Sequence, residues 1–486
     1  MTTGTVVGTE PVILCKLYYK KIQTPINLPA LCQIFAGLKS ASILGANPSK
    51  KNADRFSYFA AEPKEIFEFK AKQKNPFEKL HRILNKYQLE LDAIRDTRYA
   101  ETKLPNGIFC GGWIGYFSYE LGRFIERLPE TAIDDLEMPL IRLCFYDRVI
   151  AYDHIDRMCW LIALQLPADG EEPEEKLASL ERLLAKSQKV RLEQPVSCDL
   201  EIIDFSRIRC NMSKNYYLQA VEKIKRYIYD GDIYQVNFSQ RFECGYNARP
   251  INLFHWQNRY NPSPYSAYID GGSFHIVSAS PEMFITIADG YISTKPIKGT
   301  RPRLNGAGQG QQINAKNFNE LLHSEKEQAE LNMIVDLERN DVAKICKPGT
   351  RKVIQPRTIE SYPTVFHAVA TVAGQLRKGI TFCDVLQAMF PGGSITGAPK
   401  IRSMEIIDET EPTARGVYTG SIGFISLNGT MCLNITIRTI IIKDQKAYAQ
   451  TGGGIVADSD PEAEWDETIT KARALLVGIQ TVVRRA

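Results

Sequence analysis

Short runs of β-branched and aromatic residues alternate with turn signals through the first third of the chain. Examples are Val12–Leu14, Ile108–Phe117 and Phe145–Tyr152. Apolar runs of this length, bounded by glycine or polar residues, predict strands. Phe77–Leu91 has instead the pattern of a helix. We therefore expect residues 1–166 to form a lobe built on an antiparallel or mixed sheet.

The second half of the chain mixes strands with a few long helices. Tyr216–Asp230 is amphipathic with a helical period, and Gly231 suits the C′ position that ends such a helix. Further helices are predicted over Asn319–Ile345, Pro399–Asp408 and Asp460–Val483. Strands are predicted over Tyr234–Cys244, Ser266–Ile269, Phe274–Ser278, Met283–Ile287, Gly423–Leu427, Met431–Ile442 and Lys446–Thr451. Because no regular β-α-β repeat connects them, the pattern indicates an α+β fold.

A polar stretch separates these two parts. It runs from Pro167 to Gln194, begins with linker composition and continues with a helical period over Glu174–Lys189. We expect a linker over residues 167–207 that carries a surface helix. The predicted architecture is two-lobed: an antiparallel or mixed β-sheet sandwich with flanking helices, whose second lobe spans residues 208–486.

Composition and charge narrow the classes of function. The 486 residues are 44% hydrophobic and 24% charged, which is typical of a globular protein and excludes a disordered chain. A net charge of +4 is too small for a protein that coats a nucleic-acid duplex, yet it allows a local basic site for a small acidic ligand. We expect no nucleic-acid partner and no membrane partner, since no stretch approaches the ~18 apolar residues of a membrane span.

The cysteines predict a cellular compartment. All 11 are scattered, without a C-x-x-C pair or a Cys/His cluster of zinc spacing. Reduced thiols are expected at this size, and they favour a cytoplasmic location. The first twenty residues lack a basic segment followed by a long apolar run, so no signal peptide is expected.

Two predicted helices carry pairs of glutamates three residues apart. Glu327 and Glu330 project from one face of the helix over Asn319–Ile345, about one turn from each other. Glu464 and Glu467 repeat this spacing in the last predicted helix. Taken alone, each pair is most simply a charged, solvated helix face.

The segment before the last helix favours a different interpretation. Thr451–Val456 is glycine-rich and allows a ligand to approach the backbone closely. Asp460 and Pro461 then predict the N-cap and first position of the helix, and Lys471 lies four residues beyond Glu467. Carboxylates from two helices supply the oxygen ligands that Mg²⁺ prefers, provided that helix packing brings them together. Mg²⁺ is therefore the predicted cofactor.

Three further motifs stand out. Ser280–Glu282 follows one predicted strand, Lys295–Arg301 follows the next, and Phe390–Lys400 opens a helix. The last motif departs from the phosphate loop G-x-x-x-x-G-K-[ST], because Ile401 follows its lysine. Its glycine and threonine amides at a helix N-terminus would still suit a carboxylate, so Thr396 is a candidate substrate contact.

These motifs together resemble the chorismate-utilising enzyme family. That family includes anthranilate synthase component I, aminodeoxychorismate synthase component I, and the isochorismate and salicylate synthases. The resemblance includes Asp336–Asp341 and is dense from Tyr216 to Leu476, whereas the first lobe matches more loosely through Gly112–Tyr116. It implies an anthranilate synthase component I-like fold with a chorismate-binding catalytic lobe after residue 208.

The resemblance also implies roles for the matching residues. Glu330 and Glu467 fall on Mg²⁺ ligands, and Glu327 and Glu464 on supporting carboxylates. Contacts to the substrate carboxylates are implied for Gly299, Thr300, Tyr418, Arg438, Gly453, Gly454 and Lys471. Of these, Tyr418 and Arg438 match the pair that holds the enolpyruvyl carboxylate; an arginine suits this, because chorismate is a dianion. His367 matches the active-site histidine, although a histidine in an apolar run is more often part of a core.

Two positions distinguish the branches of the family. Lys298 stands where anthranilate synthases usually carry alanine and many aminodeoxychorismate synthases carry lysine. Elsewhere such a lysine would be a surface residue paired with an acid, but a desolvated amine flanked by cations exposes its neutral, nucleophilic form. Gln235, a candidate substrate contact, stands where enzymes that add water to chorismate usually have a lysine base. Glutamine cannot abstract a proton from water, so the resemblance favours amination.

Within the amination branch, the expected reaction is covalent. Lys298 attacks ring C2 and the C4 hydroxyl leaves, with Glu282 as its acid or relay, although Ser-Pro-Glu is also compatible with a structural turn. Ammonia then attacks C4, Lys298 departs, and the product is the 4-amino-4-deoxychorismate used for para-aminobenzoate and folate.

The ammonia is expected to come from another chain. A class I glutaminase needs a cysteine in a G-x-C-x-G elbow, and none of the 11 cysteines sits in one. Cys110 is the nearest, but Ile108 replaces the first glycine. A separate glutaminase subunit is therefore the predicted partner.

Three alternatives stay open. Anthranilate synthase component I is the first, although the L-L-E-S motif of its usual tryptophan site corresponds here to Ser42–Ala46 (SILGA), so tryptophan inhibition is not expected. An isochorismate or salicylate synthase is disfavoured by Gln235. A non-catalytic binding module is disfavoured by the complete set of carboxylates together with Lys298.

Overall fold

The fold was taken from a computed structural model of the chain. It describes residues 11–46, 55–90, 103–190, 203–304, 309–362 and 365–484. In these ranges no helix is both long enough and apolar enough to cross a membrane.

The elements up to residue 190 are mostly strands. In chain order they are β1 (Ile13–Ile22), α1 (Leu28–Phe35), β2 (Ser42–Leu44), β3 (Phe56–Ala60), β4 (Glu65–Phe69), α2 (Pro76–Lys86), β5 (Tyr87–Leu89), β6 (Gly112–Phe117), β7 (Ile141–Tyr146), β8 (Arg148–Asp153), β9 (Met158–Gln165) and α3 (Pro173–Lys189). A 3₁₀ helix covers Tyr119–Phe124.

The elements after residue 203 include most of the helices. They are β10 (Ile208–Cys210), α4 (Lys214–Tyr229), β11 (Gln235–Gly245), α5 (Pro250–Tyr260), β12 (Tyr265–Asp270), β13 (Phe274–Ser280), β14 (Met283–Ala288), β15 (Tyr291–Lys295), β16 (Ile297–Pro302), α6 (Gln309–His323), α7 (Glu325–Ala343), β17 (Lys352–Ser361), β18 (Val365–Gln375), α8 (Phe382–Met389), β19 (Gly397–Ala398), α9 (Lys400–Thr410), β20 (Ser421–Ser426), β21 (Met431–Asn434), β22 (Thr439–Lys443), β23 (Lys446–Ile455) and α10 (Pro461–Val483).

The strands form two large sheets that face each other. One sheet has the order β10-β11-β23-β22-β13-β12-β2-β3-β8-β9-β1-β5, with β19 beside β11. The other has the order β16-β18-β15-β14-β21-β20-β6-β7-β4, with β17 beside β18. The largest apolar core contains residues of both sheets, such as Tyr58 and Trp113, and a second core joins the first sheet to α1, α3, α5 and α10. This architecture confirms the predicted α+β sandwich with flanking helices.

Both sheets draw strands from both sides of the predicted linker. Strands β1, β2 and β3 extend the sheet that contains β11, while β4, β6 and β7 extend the sheet that contains β14. The helix expected in the linker is α3, which begins at Pro173 and buries Leu177 and Leu180. Residues 191–202 of that linker lie outside the described residues, and the boundaries of the two lobes stay a prediction.

Two predicted strands were wrong in the same way. Phe145–Tyr152 is interrupted at Asp147, and Met431–Ile442 is interrupted between Asn434 and Thr439. At each break the chain leaves one sheet and enters the other. A run of β-forming residues shows no such crossing, because the local preference for extended backbone is the same in both sheets.

The long helix predicted over Asn319–Ile345 was also wrong, since it is two helices. Helix α6 ends at His323, and α7 begins behind Ser324, whose hydroxyl accepts a hydrogen bond from the Glu327 amide. Ser324 is an N-cap, and the cap directs the chain into a new helix.

The remaining differences concern element ends. Helix α2 ends at Lys86, and Leu91, the predicted end, lies outside the described residues. Strand β6 begins at Gly112 instead of Ile108. Strand β23 continues through the glycine run to Ile455, so these glycines belong to a sheet. The predicted cap of α10 is confirmed, because the Asp460 side chain accepts from the Ala463 amide.

Candidate active site

The candidate site lies where the chain crosses between the two sheets. Glu282 follows β13 of one sheet and precedes β14 of the other, and Arg438 lies between β21 and β22. Neighbouring strands and helices supply the other candidates. They are Gln235 on β11, Lys298, Gly299 and Thr300 on β16, Glu327 and Glu330 on α7, His367 on β18, Gly453 and Gly454 on β23, and Glu464, Glu467 and Lys471 on α10.

Lys298, Glu330 and Gln235 form one cluster. The Lys298 Nζ lies 2.8 Å from Glu330 Oε1, and the Gln235 amide donates to the same oxygen at 2.6 Å. The side chain of Lys298 is 11% exposed and that of Glu330 is 22% exposed. The structure therefore places the predicted nucleophile in an ion pair with a predicted Mg²⁺ ligand.

These contacts determine the charge of Glu330. Burial by itself would raise the pKa of this carboxyl, but the Lys298 ammonium, the Gln235 amide and Lys471 outweigh it and lower the pKa below its usual value. Glu330 is thus a carboxylate at neutral pH and is available to a cation.

Gly454 makes room for this cluster. A Cβ at Gly454 would lie 2.1 Å from Gln235 Nε2 and 3.2 Å from Glu330 Oε1. A side chain here would displace both groups, so the glycine run of β23 is needed for close packing against α7.

The glutamates of α10 lie beside the preceding glycine. A Cβ at Gly453 would be 3.0 Å from Glu464 Oε2 and 3.8 Å from Glu467 Oε1. Ser459 donates to Glu464 at 2.6 Å, whereas Glu467 pairs with Lys471 at 2.6 Å. Burial and the neighbouring Glu467 raise the pKa of Glu464 despite the Ser459 hydrogen bond. Two carboxylates this close favour a cation between or beside them.

The donor set fits Mg²⁺ in its chemistry. The candidate ligands are carboxylate oxygens, which Mg²⁺ prefers, and one of them, Glu327 Oε2, is buried without a hydrogen-bond partner. In the described part of the chain, however, no three His, Cys, Asp or Glu side chains are gathered as a metal site. The protein's own lysines pair with Glu330 and Glu467 instead.

Glu327 is held against β16. Its Oε1 accepts from Arg301 at 2.7 Å, and its Oε2 would lie 2.9 Å from a Cβ at Gly299. Gly299 has a φ of 93°, which favours glycine for a second reason. The P-I-K-G-T motif therefore fits against the first turn of α7.

Thr300 and His367 face each other across β16 and β18. The Thr300 hydroxyl lies 2.8 Å from His367 Nδ1, and His367 is 2% exposed. Burial and the nearby Arg438 lower the pKa of His367 to about 3. The imidazole is therefore neutral and can exchange a hydrogen bond but carries no charge at neutral pH.

Arg438 differs from every other candidate cation. Among the described residues its guanidinium forms no ion pair, and it lies close enough to the neutral His367 to lower the pKa of that imidazole. Burial lowers the pKa of Arg438, which remains far above neutrality. A partly buried cation without a counter-ion is a favourable binding site for an anion.

Tyr418 and Thr396 have contacts apart from the two glutamate pairs. Tyr418 is buried, and its ring lies 5.7 Å from the guanidinium carbon of Arg415. The Thr396 hydroxyl donates to Gly392 O at 3.0 Å, so it fixes the turn over Gly393–Ile395. No hydrogen bond joins Tyr418 to Arg438 in the part of the chain that the structure describes.

Glu282 is buried close to Lys298. The Ile297 amide donates to its carboxylate at 3.3 Å, and Ser394 supplies a second hydrogen bond. Burial raises the pKa of Glu282 above its usual value, although these hydrogen bonds and Lys298 oppose the shift. Glu282 thus holds a proton more firmly than an exposed glutamate does.

Sequence reasoning missed residues that orient the predicted ones. Arg301 and Ser459 bind Glu327 and Glu464, and Ser394 binds Glu282. Arg301 and Ser394 lie inside motifs that were noticed, and Ser459 directly precedes the Asp460 cap. Their closeness to known motifs in the chain was therefore a usable signal. The sequence did not show which glutamate each of them binds.

Comparison with known proteins identifies the class. The sequence matches the family described as chorismate binding enzyme over residues 46–477, nearly the whole chain. The chain belongs to the family of chorismate-binding enzymes.

Its relatives carry two different names. The chain is 36% identical over 486 aligned residues to anthranilate synthase component 1 of Acetivibrio thermocellus, covering 95% of this chain and 94% of that protein. It is 40% identical over 367 residues to aminodeoxychorismate synthase component 1 of Bacillus subtilis (strain 168), covering 76% of each. Among solved structures, anthranilate synthase component I from Streptococcus pneumoniae TIGR4 matches with a TM-score of 0.70 and 29% identity, covering 88% of this chain and 93% of that one.

Proposed function

We propose that this chorismate-binding enzyme is component I of an aminodeoxychorismate synthase. It would convert chorismate and ammonia to 4-amino-4-deoxychorismate, for para-aminobenzoate and folate synthesis. The observation that carries this proposal is the position of Lys298. Its amine lies inside the candidate site, 2.8 Å from Glu330 and close enough to Glu282 to affect its protonation. Nucleophilic amination needs an amine there, whereas direct amination does not.

The covalent route balances in atoms and electrons. The neutral Lys298 amine forms a bond to ring C2, the ring double bonds shift, and the C4–O bond breaks. Glu282 gives its proton to the leaving hydroxyl, which departs as water. Ammonia then forms a bond to C4, the electrons shift back, and the C2–N bond to Lys298 breaks. The raised pKa of Glu282 supports its assignment as the acid, because more of the protonated form is present at neutral pH.

We place the enolpyruvyl carboxylate against Arg438. This guanidinium is partly buried and has no carboxylate partner among the described residues, so an incoming carboxylate would meet no internal competitor. The neutral His367 and the Thr300 hydroxyl add hydrogen-bonding groups without adding charge. Tyr418 is the proposed partner of Arg438 in this contact.

We propose Mg²⁺ as the cofactor, held by Glu330 and Glu467 with support from Glu327 and Glu464. When bound, it would neutralise the ring carboxylate and draw electron density from the ring. Lys298 would also lose part of its hold on Glu330, because the two cations share one carboxylate. Gly299, Gly453, Gly454 and Lys471 would complete the contacts to that carboxylate.

We further propose a separate glutaminase subunit as the source of ammonia. Several relatives are named component 1, a name that implies at least one further component. The cysteines of this chain lack a glutaminase elbow, which supports a partner of this kind. We place both subunits in the cytoplasm.

Anthranilate synthase component I is the second candidate function. The relative from Acetivibrio thermocellus bears that name and covers 95% of this chain, which is more than the named aminodeoxychorismate synthase covers. The two activities differ in the step after amination, since an anthranilate synthase also eliminates pyruvate.

The products separate these candidates. The purified chain is incubated with chorismate, Mg²⁺ and ammonium, and the products are identified by mass with and without a lyase that releases para-aminobenzoate. We expect 4-amino-4-deoxychorismate, and para-aminobenzoate only with the lyase. Anthranilate or isochorismate as the main product would refute the proposal.

A matched pair of lysine variants tests the covalent route. Lys298→Ala should abolish amination. Lys295→Ala removes a neighbouring lysine that pairs with Glu360 instead, and should leave the rate unchanged. Equal rates in the two variants would remove the nucleophile from the mechanism.

A further inference from the structure

A buried arginine, Arg415, lies close to Tyr418. Arg415 is 2% exposed, and its Nε and one terminal nitrogen donate to the two oxygens of Glu411 at 2.9 and 2.7 Å. Glu411 is itself buried and also accepts from the amide and hydroxyl of Ser239 on β11. The charge of Arg415 is therefore neutralised locally, and its other N–H groups are free to bind neutral atoms.

Those other N–H groups reach three separate segments of the candidate site. They donate to Asn237 O at 2.7 Å, to Ile395 O at 3.0 Å and to Thr419 Oγ1 at 3.2 Å. Asn237 is the sheet partner of Gly454, and Ile395 directly precedes Thr396. Thr419 follows Tyr418 and donates to its carbonyl at 2.7 Å. One side chain thus joins the segments that carry Gly454, Thr396 and Tyr418.

The first lobe holds Arg415 from the opposite side. Glu120, in the 3₁₀ helix after β6, accepts from the amides of Arg415 and Gly416 at 2.8 and 3.0 Å. The ring of Tyr119 lies 4.7 Å from the guanidinium carbon of Arg415. Since both residues belong to the part of the chain before the linker, the first lobe contacts the segment that leads into Tyr418.

We propose that Arg415 is a positioning residue for chorismate, set from the first lobe by Glu120. It touches no substrate; it fixes Tyr418 and Thr396 relative to the glycine run of β23. The inference rests on the part of the proposed function that assigns these residues as substrate contacts. Its consequence is selective: loosening Arg415 weakens the hold on chorismate and leaves the use of ammonium unchanged.

Arg415→Lys is the principal test variant. Lysine keeps the charge opposite Glu411, but its compact ammonium cannot reproduce the planar set of five N–H groups. We expect the dissociation constant for chorismate to rise about tenfold, which corresponds to losing one or two charged hydrogen bonds. It is measured by calorimetric titration with chorismate and Mg²⁺ in the absence of ammonium. In turnover assays the KM for ammonium should stay unchanged.

Arg402→Lys is the matched control. Arg402 is a half-exposed arginine of α9 with two carboxylate partners, Asp232 and Glu405. The Arg402→Lys variant should bind chorismate as the native chain does. An Arg415→Lys variant that is less stable but has native chorismate affinity would overturn the proposal, because that result defines a purely structural residue. Equal rises in the KM for chorismate and for ammonium would overturn it as well.

A second pair of variants covers the case in which Arg415→Lys does not fold. Thr419→Val removes one acceptor of Arg415 and the donor to the Tyr418 carbonyl with little change of shape. Glu120→Gln weakens the hydrogen bonds that the first lobe accepts from the Arg415 and Gly416 amides. Each should raise the dissociation constant for chorismate about two- to fivefold, as expected when one or two hydrogen bonds are lost or weakened. Native affinity in both would refute the proposal. Because binding is measured without ammonium, a native chain that binds chorismate but forms anthranilate would refute only the proposed function.

Discussion

The two ends of the candidate site treat charge in opposite ways. At the α7 and α10 end the cations are already paired: Lys298 with Glu330, Arg301 with Glu327, and Lys471 with Glu467. At the other end, Arg438 has no carboxylate partner among the described residues and stands near a neutral histidine. The unpaired end is ready for an anion, whereas the paired end must be rearranged before it can bind a cation or release an amine.

This difference also separates binding from stability. A partly buried cation without a counter-ion costs some folding free energy, and a buried ion pair costs most when one partner is removed. Loss of Arg438 should therefore harm binding but not folding, and loss of Glu330 should harm both.

The largest expected effect is at Arg438. Arg438→Met should weaken chorismate binding about a thousandfold, or about 4 kcal/mol, because a carboxylate loses its charged hydrogen bonds in a partly buried site. The same change should raise the free energy of unfolding by about 1 kcal/mol. Calorimetric titration and urea unfolding measure the two quantities. A clear loss of stability in Arg438→Met would show that Arg438 has an internal partner and would remove the contrast between the two ends.

The next effect is at Glu330. Glu330→Gln leaves Lys298 mostly buried without an anion and should cost about 3 kcal/mol of unfolding free energy. Adding Lys298→Met should restore most of this loss, since neither charge then remains unpaired. Glu360→Gln serves as the control. The lysine that it leaves behind, Lys295, is 25% exposed against 11% for Lys298, so it is better solvated and the change should cost about 1 kcal/mol. If adding Lys298→Met restores none of the lost unfolding free energy, Glu330 does not stabilise the protein through its ion pair with Lys298.

The buried His367, near Arg438, makes the free energy of unfolding depend on pH. Its pKa is about 3 in the folded protein and about 6.5 in an unfolded chain, so only the unfolded chain takes up a proton between these values. The contribution of the neutral His367 to the free energy of unfolding is fully present above pH 6.5 and is lost as the pH falls toward 3. At pH 5 the loss is about 2 kcal/mol relative to pH 7.

The measurement compares unfolding free energies at pH 7 and pH 5. His367→Gln should lack this component, whereas His81→Gln, at an exposed position of α2, should keep it. Equal pH dependence in the native chain and His367→Gln would mean that His367 is accessible to protons when folded.

The paired end of the site was largely predictable from sequence. The faces of α7 and α10 follow from a spacing of three residues and from the Asp460 cap, which are local properties of a helix. The break at Ser324 had a local signal as well, because Ser324 and Glu327 have the spacing of a capping box. That signal was missed because the apolar period continues across it.

The unpaired end was not predictable in the same way. That Arg438 has no partner among the described residues depends on what each neighbouring strand brings near it, and that in turn depends on where the chain crosses between sheets. The motif match identified Arg438 and His367, but their mutual effect on charge comes from tertiary packing. The same holds for Arg415, whose five hydrogen bonds reach residues as far apart as Asn237 and Thr419.

The smallest expected effect on stability is at Glu327, in the paired end of the site. Its Oε1 binds Arg301, while its Oε2 is buried without a partner, so Glu327→Gln loses an ion pair but also removes a poorly solvated charge. We expect these to offset to within about 1 kcal/mol without metal. With Mg²⁺ the native chain should gain thermal stability through binding, and the variant should gain less. Glu320→Gln is the control. Glu320 Oε2 lies 3.9 Å from Nε of the same Arg301, and this variant should keep the full gain in thermal stability with Mg²⁺. A full Mg²⁺-dependent gain in Glu327→Gln would remove this glutamate from the cation site, and the pairing at this end would then be structural.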